Sequence, residues 1–206
     1  MWVGALLVLT AAAVAAPEEE SVPPNTAEED GGDAPERIFM PAIELGVLWH
    51  ADPALDASVL FRTSVDFRLR RVNAPFVRLT YDAASPRLTQ PATPPVQQLT
   101  ANTALHDVYV GLGIRLGTQT VQFVPTGHIG AQITEVPVAL QAPEDGIIID
   151  TETAVTGLAV VGLGTELYVE PEIALTLDVS ARARFRRLKG GSPLGAAATI
   201  GVTTAF

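Results

Sequence analysis

The chain has no cysteine, so neither a disulfide framework nor thiol chemistry is open to it. It has no run of about 18 or more apolar residues beyond its N-terminus, although 48% of its residues are hydrophobic, so no helix after the start is expected to span a membrane. It also lacks a surplus of positive charge. Eight acids (Glu18, Glu19, Glu20, Glu28, Glu29, Asp30, Asp33 and Glu36) precede Arg37. The remainder carries 15 acids against 13 bases, which is −2 of the total −10. Nothing there would draw nucleic acid. Catalytic signatures are missing too: there is no HExxH metal spacing, no phosphate-binding loop and no Gly-x-Ser-x-Gly. Ser58 and Ser180 have no evident His partner, and Asp52 and Asp56 read as turn chemistry. No catalytic residue, metal or cofactor is expected.

What is present divides into three parts. Residues 1–16 read as a secretory signal peptide: an apolar stretch from Trp2 to Leu9, an Ala-rich run, and Ala13-Val14-Ala15 as a small-x-small cleavage motif. The n-region departs from the pattern, with no Lys or Arg. A buried core helix is the alternative, disfavoured by the short run and the acidic segment that follows. Residues 17–37 are rich in Glu, Asp, Pro and Gly. They hold too little apolar surface to offset ordering entropy, so a disordered acidic linker is expected. It serves either as a solvated leader or as a tether for a basic partner. Residues 38–206 form the third part.

From Ile38 onward the hydrophobic period is two, which predicts strands rather than helices. Eight are expected, at about 38–50, 57–71, 75–84, 103–117, 120–136, 153–168, 172–187 and 194–206. Connections alternate in length. The longer ones are 51–56, 85–102, 137–152 and 188–193. The tight ones are Val72-Asn73-Ala74, Thr118-Gln119 and Val169-Glu170-Pro171. Short turns on one side and long loops on the other are the pattern of an up-and-down barrel in an outer membrane.

Each strand separates into two faces. Val59, Phe61, Thr63, Val65, Phe67 and Leu69 oppose Arg62, Ser64, Asp66, Arg68 and Arg70. Ile173, Leu175, Leu177 and Val179 oppose Thr176, Asp178, Ser180, Arg182 and Arg184. The mid-strand charges fall on the less apolar face, as expected where a lipid-facing Arg or Lys costs about 2–4 kcal/mol at mid-membrane. On the apolar face, Trp49, Phe61, Tyr81 and Phe185 lie near the long loops. Phe39, Phe67, Phe123 and Phe206 lie near the short turns. These make two aromatic belts. The last strand, Ala198 to Phe206, ends on an aromatic residue of its apolar face.

In these features, residues 38–206 resemble the small eight-stranded bacterial outer-membrane barrels of the OmpA/OmpX type. The Gly-rich hairpin from Gly157 to Phe185 looks like their late hairpin, and Phe206 resembles their C-terminal assembly signal. The resemblance implies an all-β, antiparallel, eight-stranded transmembrane barrel in the bacterial outer membrane, with both mature termini periplasmic. It further implies outer-membrane lipids as surroundings and the barrel-assembly machinery as a partner during biogenesis. A monomer is expected.

The inward set is then a polar network of Glu44, Arg62, Asp66, Arg68, Arg78, Asp107, Tyr109, Arg115, His128, Glu166, Asp178, Arg182 and Arg184. Eight strands leave a lumen that side chains can fill. A plug is therefore favoured over a narrow pore for small solutes. With the short turn at Thr118-Gln119, His128 lies opposite Tyr109 and diagonal to Asp107. Such a trio either relays protons or simply joins the network. A structural or surface-interaction role is expected. The alternatives are an outer-membrane enzyme acting on lipid A and a soluble lipocalin-like barrel. The outward aromatic belts weigh against the lipocalin-like barrel.

Overall fold

The computed structural model describes residues 39–68, 75–91, 98–141, 147–185 and 192–205. The signal peptide at 1–16, the acidic linker at 17–37, the Val72-Asn73-Ala74 turn and Phe206 lie outside the described residues. The strands are β1 (Phe39–His50), β2 (Ser58–Arg68), β3 (Pro75–Ala84), β4 (Arg87–Pro91), β5 (Gln98–Asn102), β6 (Ala104–Ile114), β7 (Leu116–Gly117), β8 (Val121–Gln141), β9 (Ile147–Glu170), β10 (Ile173–Arg184) and β11 (Leu194–Thr204). Among the described residues there is no helix.

Eight of these strands form a closed antiparallel ring in the order β1, β2, β3, β6, β8, β9, β10, β11 and back to β1. Closure runs from Ala42 opposite Thr203 to His50 opposite Gly195. A closed ring leaves no sheet edge within the barrel, which a strand structure surrounded by lipid requires.

Pro125 explains why β7 is separate from β6. The ladder between β6 and β8 runs to Gly113 opposite Thr126 and resumes at Leu116 opposite Phe123. Pro125 lies in that gap and has no N–H to give a central ladder. The turn that follows sits one residue later than the sequence suggested. Thr118 N–H donates to the Val121 carbonyl at 2.9 Å, leaving Gln119 and Thr120 at the tip. Gly117, with φ of 139°, feeds this turn, and a Cβ there would meet the Val121 carbonyl oxygen at 2.4 Å. Moving a turn by one residue moves each partner by two, so His128 lies opposite Gly111 and not Tyr109. The faces survive because two is the side-chain period. The β9–β10 turn likewise shifts, to Pro171-Glu172.

Two long connections carry more strand than expected. The segment 85–102, read as irregular, contains the β4–β5 hairpin. That hairpin joins the first long connection through a bridge between Leu55 and Leu88. Asp56 N–H also donates to the Arg87 carbonyl at 3.0 Å and Thr89 N–H to the Ala54 carbonyl at 2.8 Å. The segment 137–152 is largely ladder, because β8 and β9 stay paired to Gln141 opposite Ile147. Pro137, one residue past the expected strand 120–136, lies inside β8. It is tolerated because β6 pairs with β8 only as far as Glu135, so Pro137 has no ladder bond to donate on that side. The β-branched run Ile147-Ile148-Ile149 favours extended backbone.

Candidate functional site: the barrel lumen

The outward wall is apolar and exposed. Ile43, Val161, Leu177 and Ile200 are each more than half exposed. Trp49, Phe61, Tyr81 and Phe185 are exposed on the wall toward the long connections, and Phe39, Phe67 and Phe123 toward the short turns. Phe39 and Phe67 meet edge to face at 5.6 Å. Tyr81 also hydrogen-bonds His106 Nδ1 at 2.8 Å.

The lumen reverses this. Alternate residues of each strand point inward and are buried, charged ones included. A buried charge needs a partner. Arg62 of β2 supplies the largest set. Its Nε donates to Asp82 Oδ1 at 2.9 Å, and its Nη1 to Asp178 Oδ1 at 2.7 Å and Glu44 Oε2 at 3.4 Å. It also reaches Thr199 Oγ1 at 3.4 Å. One guanidinium on β2 thereby ties together β1, β3, β10 and β11. Arg182 donates to Asp107 Oδ2 at 2.8 Å and also to Asp82. Gln132 holds the other Asp107 oxygen at 2.9 Å, and the Tyr109 hydroxyl donates to Asp82 at 2.8 Å.

Nearer the short turns the pairing is tighter. Arg78 grips Asp66 with two bonds, 2.6 and 2.8 Å. Arg115 grips Glu166 with two bonds of 2.9 Å and donates to Asp66 as well. Fork-shaped guanidinium–carboxylate contacts of this kind are among the strongest hydrogen bonds. Phe76 lies between the two arginines, with the Arg115 guanidinium 4.4 Å and that of Arg78 5.3 Å from its ring centre. The Tyr168 hydroxyl donates to Glu166 at 3.0 Å.

Apolar layers bound this polar middle. Met40, Tyr168, Ala174 and Ala205 cluster at the short-turn end. Leu48, Leu60, Leu105 and Ala197 cluster toward the long connections. Between them, a cavity lined by Arg62, Arg78, Tyr109, His128, Asp178 and Ser180 has room for about one water.

His128, Tyr109 and Asp107 are not joined to one another by hydrogen bonds. His128 is buried and packs edge to face on Tyr109 at 5.2 Å. The Tyr109 hydroxyl serves Asp82, and both Asp107 oxygens are held by Gln132 and Arg182. Arg68 is half-buried at the end of β2. Arg184 is buried near the long connections and donates to the Ser192 carbonyl at 2.7 Å. Asp82 was missed. It lies within the expected strand 75–84, is 1% exposed and receives Arg62, Arg182 and Tyr109. The signal was available: Phe76, Arg78, Thr80 and Asp82 share one parity. Among the described residues no His, Asp and Glu cluster suits a metal ion.

No family profile matches the chain, and no curated protein sequence does. Solved structures do. Neisserial surface protein A is similar over 82% of this chain and 97% of its own, with a TM-score of 0.59 and 13% identity. A major outer membrane protein from Thermus thermophilus covers 82% of this chain and 99% of its own, at 0.55 and 12%. The attachment invasion locus protein of Yersinia pestis covers 82% and 97%, at 0.51 and 10%. The chain has the fold of the small eight-stranded outer-membrane barrels. A barrel of this fold meets lipid with its outer face, and here that face is the apolar, aromatic-rimmed one.

Proposed function

We propose that the chain is an integral barrel of the bacterial outer membrane. It is closed to solutes, is not an enzyme, and contributes to envelope structure or presents its long-loop end as a contact surface. The observation that carries this reading is the lumen, filled by paired charges between two apolar layers. The short turns and both mature termini are assigned to the periplasm, and the long connections to the outside. The ordered β4–β5 hairpin and the extended β8–β9 ladder would then stand at the cell surface. Attachment, the role named for the Yersinia protein, is one form such contact takes. Lipids of the outer membrane surround a monomer, and the barrel-assembly machinery inserts it, with Phe206 as part of the signal.

Fractionation and gel mobility test the address. The protein is expected in outer membranes, and boiled and unboiled samples should migrate differently on a denaturing gel. Equal mobility together with a soluble protein would refute the reading. Mass spectrometry of lipid A with and without the protein tests for enzymatic activity; an altered acyl pattern would replace the structural role with catalysis.

A further inference from the structure

The cavity in the polar middle of the lumen lies at a glycine. Gly162 of β9 is a buried, inward position, opposite Thr126 of β8 on one side and Ser180 of β10 on the other. It has no side chain, so the centre of this row is open. The point where a Cβ would stand is 2.7 Å from Thr126 Oγ1, 3.3 Å from Asp178 Oδ2 and 3.7 Å from Ser180 Cβ. Two polar oxygens thus face one place. Gly162, Thr126, Asp178 and Ser180 all line the cavity, as do Arg62 and Arg78.

Three atoms of these lining residues have bonding capacity that the network leaves over. Arg78 uses Nε and Nη2 on Asp66, which leaves Nη1. Asp178, 5% exposed, gives Oδ1 to Arg62, which leaves Oδ2. Thr126 is 6% exposed, and its hydroxyl bonds to no described residue. Buried polar atoms ordinarily find a partner in protein or in ordered water. These three differ from Thr80 Oγ1 and the two ring nitrogens of His128, which also lack partners but are enclosed by neighbouring atoms.

The leftover atoms belong to different halves of the network. Arg78 pairs with Asp66 near the short turns, and Asp178 pairs with Arg62 toward the long connections. Among the described residues, no hydrogen bond joins the Arg78–Asp66–Arg115 set to the Arg62–Asp178–Asp82 set.

We propose that the cavity holds one resident water that joins the two halves. It accepts from Arg78 Nη1 and donates to Asp178 Oδ2 and Thr126 Oγ1, tying β3 to β8 and β10. The space admits about one water, and an internal water ordinarily makes about three hydrogen bonds. The lining selects water over an ion. The guanidiniums oppose a cation and the carboxylate opposes an anion, whereas one donor with two acceptors complements a water molecule.

The test is a crystal structure of the full chain, refolded in detergent, at a resolution that shows waters. One ordered water within hydrogen-bond distance of Arg78 Nη1, Thr126 Oγ1 and Asp178 Oδ2 is expected. A dry cavity, or a water that fails to touch both Arg78 and Asp178, would overturn the proposal. Gly162→Ala puts a methyl beside both oxygens and should remove the water; a water that persists there would count against the site. Should that variant fail to refold, as judged by heat-dependent gel mobility, Thr126→Val carries the test, because it keeps the shape and removes the hydroxyl. In urea unfolding it should lower the folding constant about fivefold, the loss of one hydrogen bond. Equal or greater stability, the result for a dry cavity gaining an apolar lining, would overturn the proposal.

Discussion

The two halves of the lumen solve the same problem differently. Near the short turns, two arginines meet two carboxylates: Arg78 with Asp66, and Arg115 with Glu166 and Asp66. Toward the long connections, two arginines serve four carboxylates: Arg62 with Glu44, Asp82 and Asp178, and Arg182 with Asp82 and Asp107. In the first half each carboxylate lost would leave a guanidinium with another partner near. In the second, three acids converge on one arginine. The difference teaches that a sealed lumen is not uniformly robust. One half is redundant and the other hangs on Arg62.

Arg62→Ala should therefore have the largest effect. It leaves three buried carboxylates short of charge, and removing one partner of a buried ion pair costs about 3–5 kcal/mol. Urea unfolding in lipid vesicles measures this, and adding Asp178→Asn to the variant should recover part of the loss. Arg78→Ala should cost less, about 1–3 kcal/mol, because Asp66 keeps Arg115. If the two arginine variants unfold at the same urea concentration, the contrast between halves is lost. Phe76→Leu comes next, at about 1–2 kcal/mol, by removing an aromatic face from two guanidiniums. Tyr109→Phe should be smallest, about 1 kcal/mol, since Asp82 still receives Arg62 and Arg182.

The division of faces was legible in the sequence, because charge facing lipid is so costly that parity alone sorts the strands. Arg62, Asp66, Asp178 and Arg182 all fall on the buried side by that rule. Register was less legible. Thr118-Gln119 and Gln119-Thr120 are equally plausible two-residue turns in composition, and Gly117 with its positive φ decided between them. The long connections were misread for a related reason. Pro91 and Pro137 look like strand breakers, but strands that extend beyond the ring have a free edge that tolerates them. The apolar seals were also hidden. Leu48, Leu60 and Leu105 share the inward parity of charged residues, and only the three-dimensional layering shows that they gather at one level. Asp82 lies inside the expected strand 75–84 on its inward parity, so the same rule made it legible.

Planar-bilayer recording of the full refolded chain tests the central claim, that the lumen is sealed, most directly. With the apolar layers and the ion-paired middle in place, the conductance should stay at the leak of the bare bilayer, and Arg62→Ala should introduce transient openings. Stepwise, sustained openings by the unaltered chain would contradict the account.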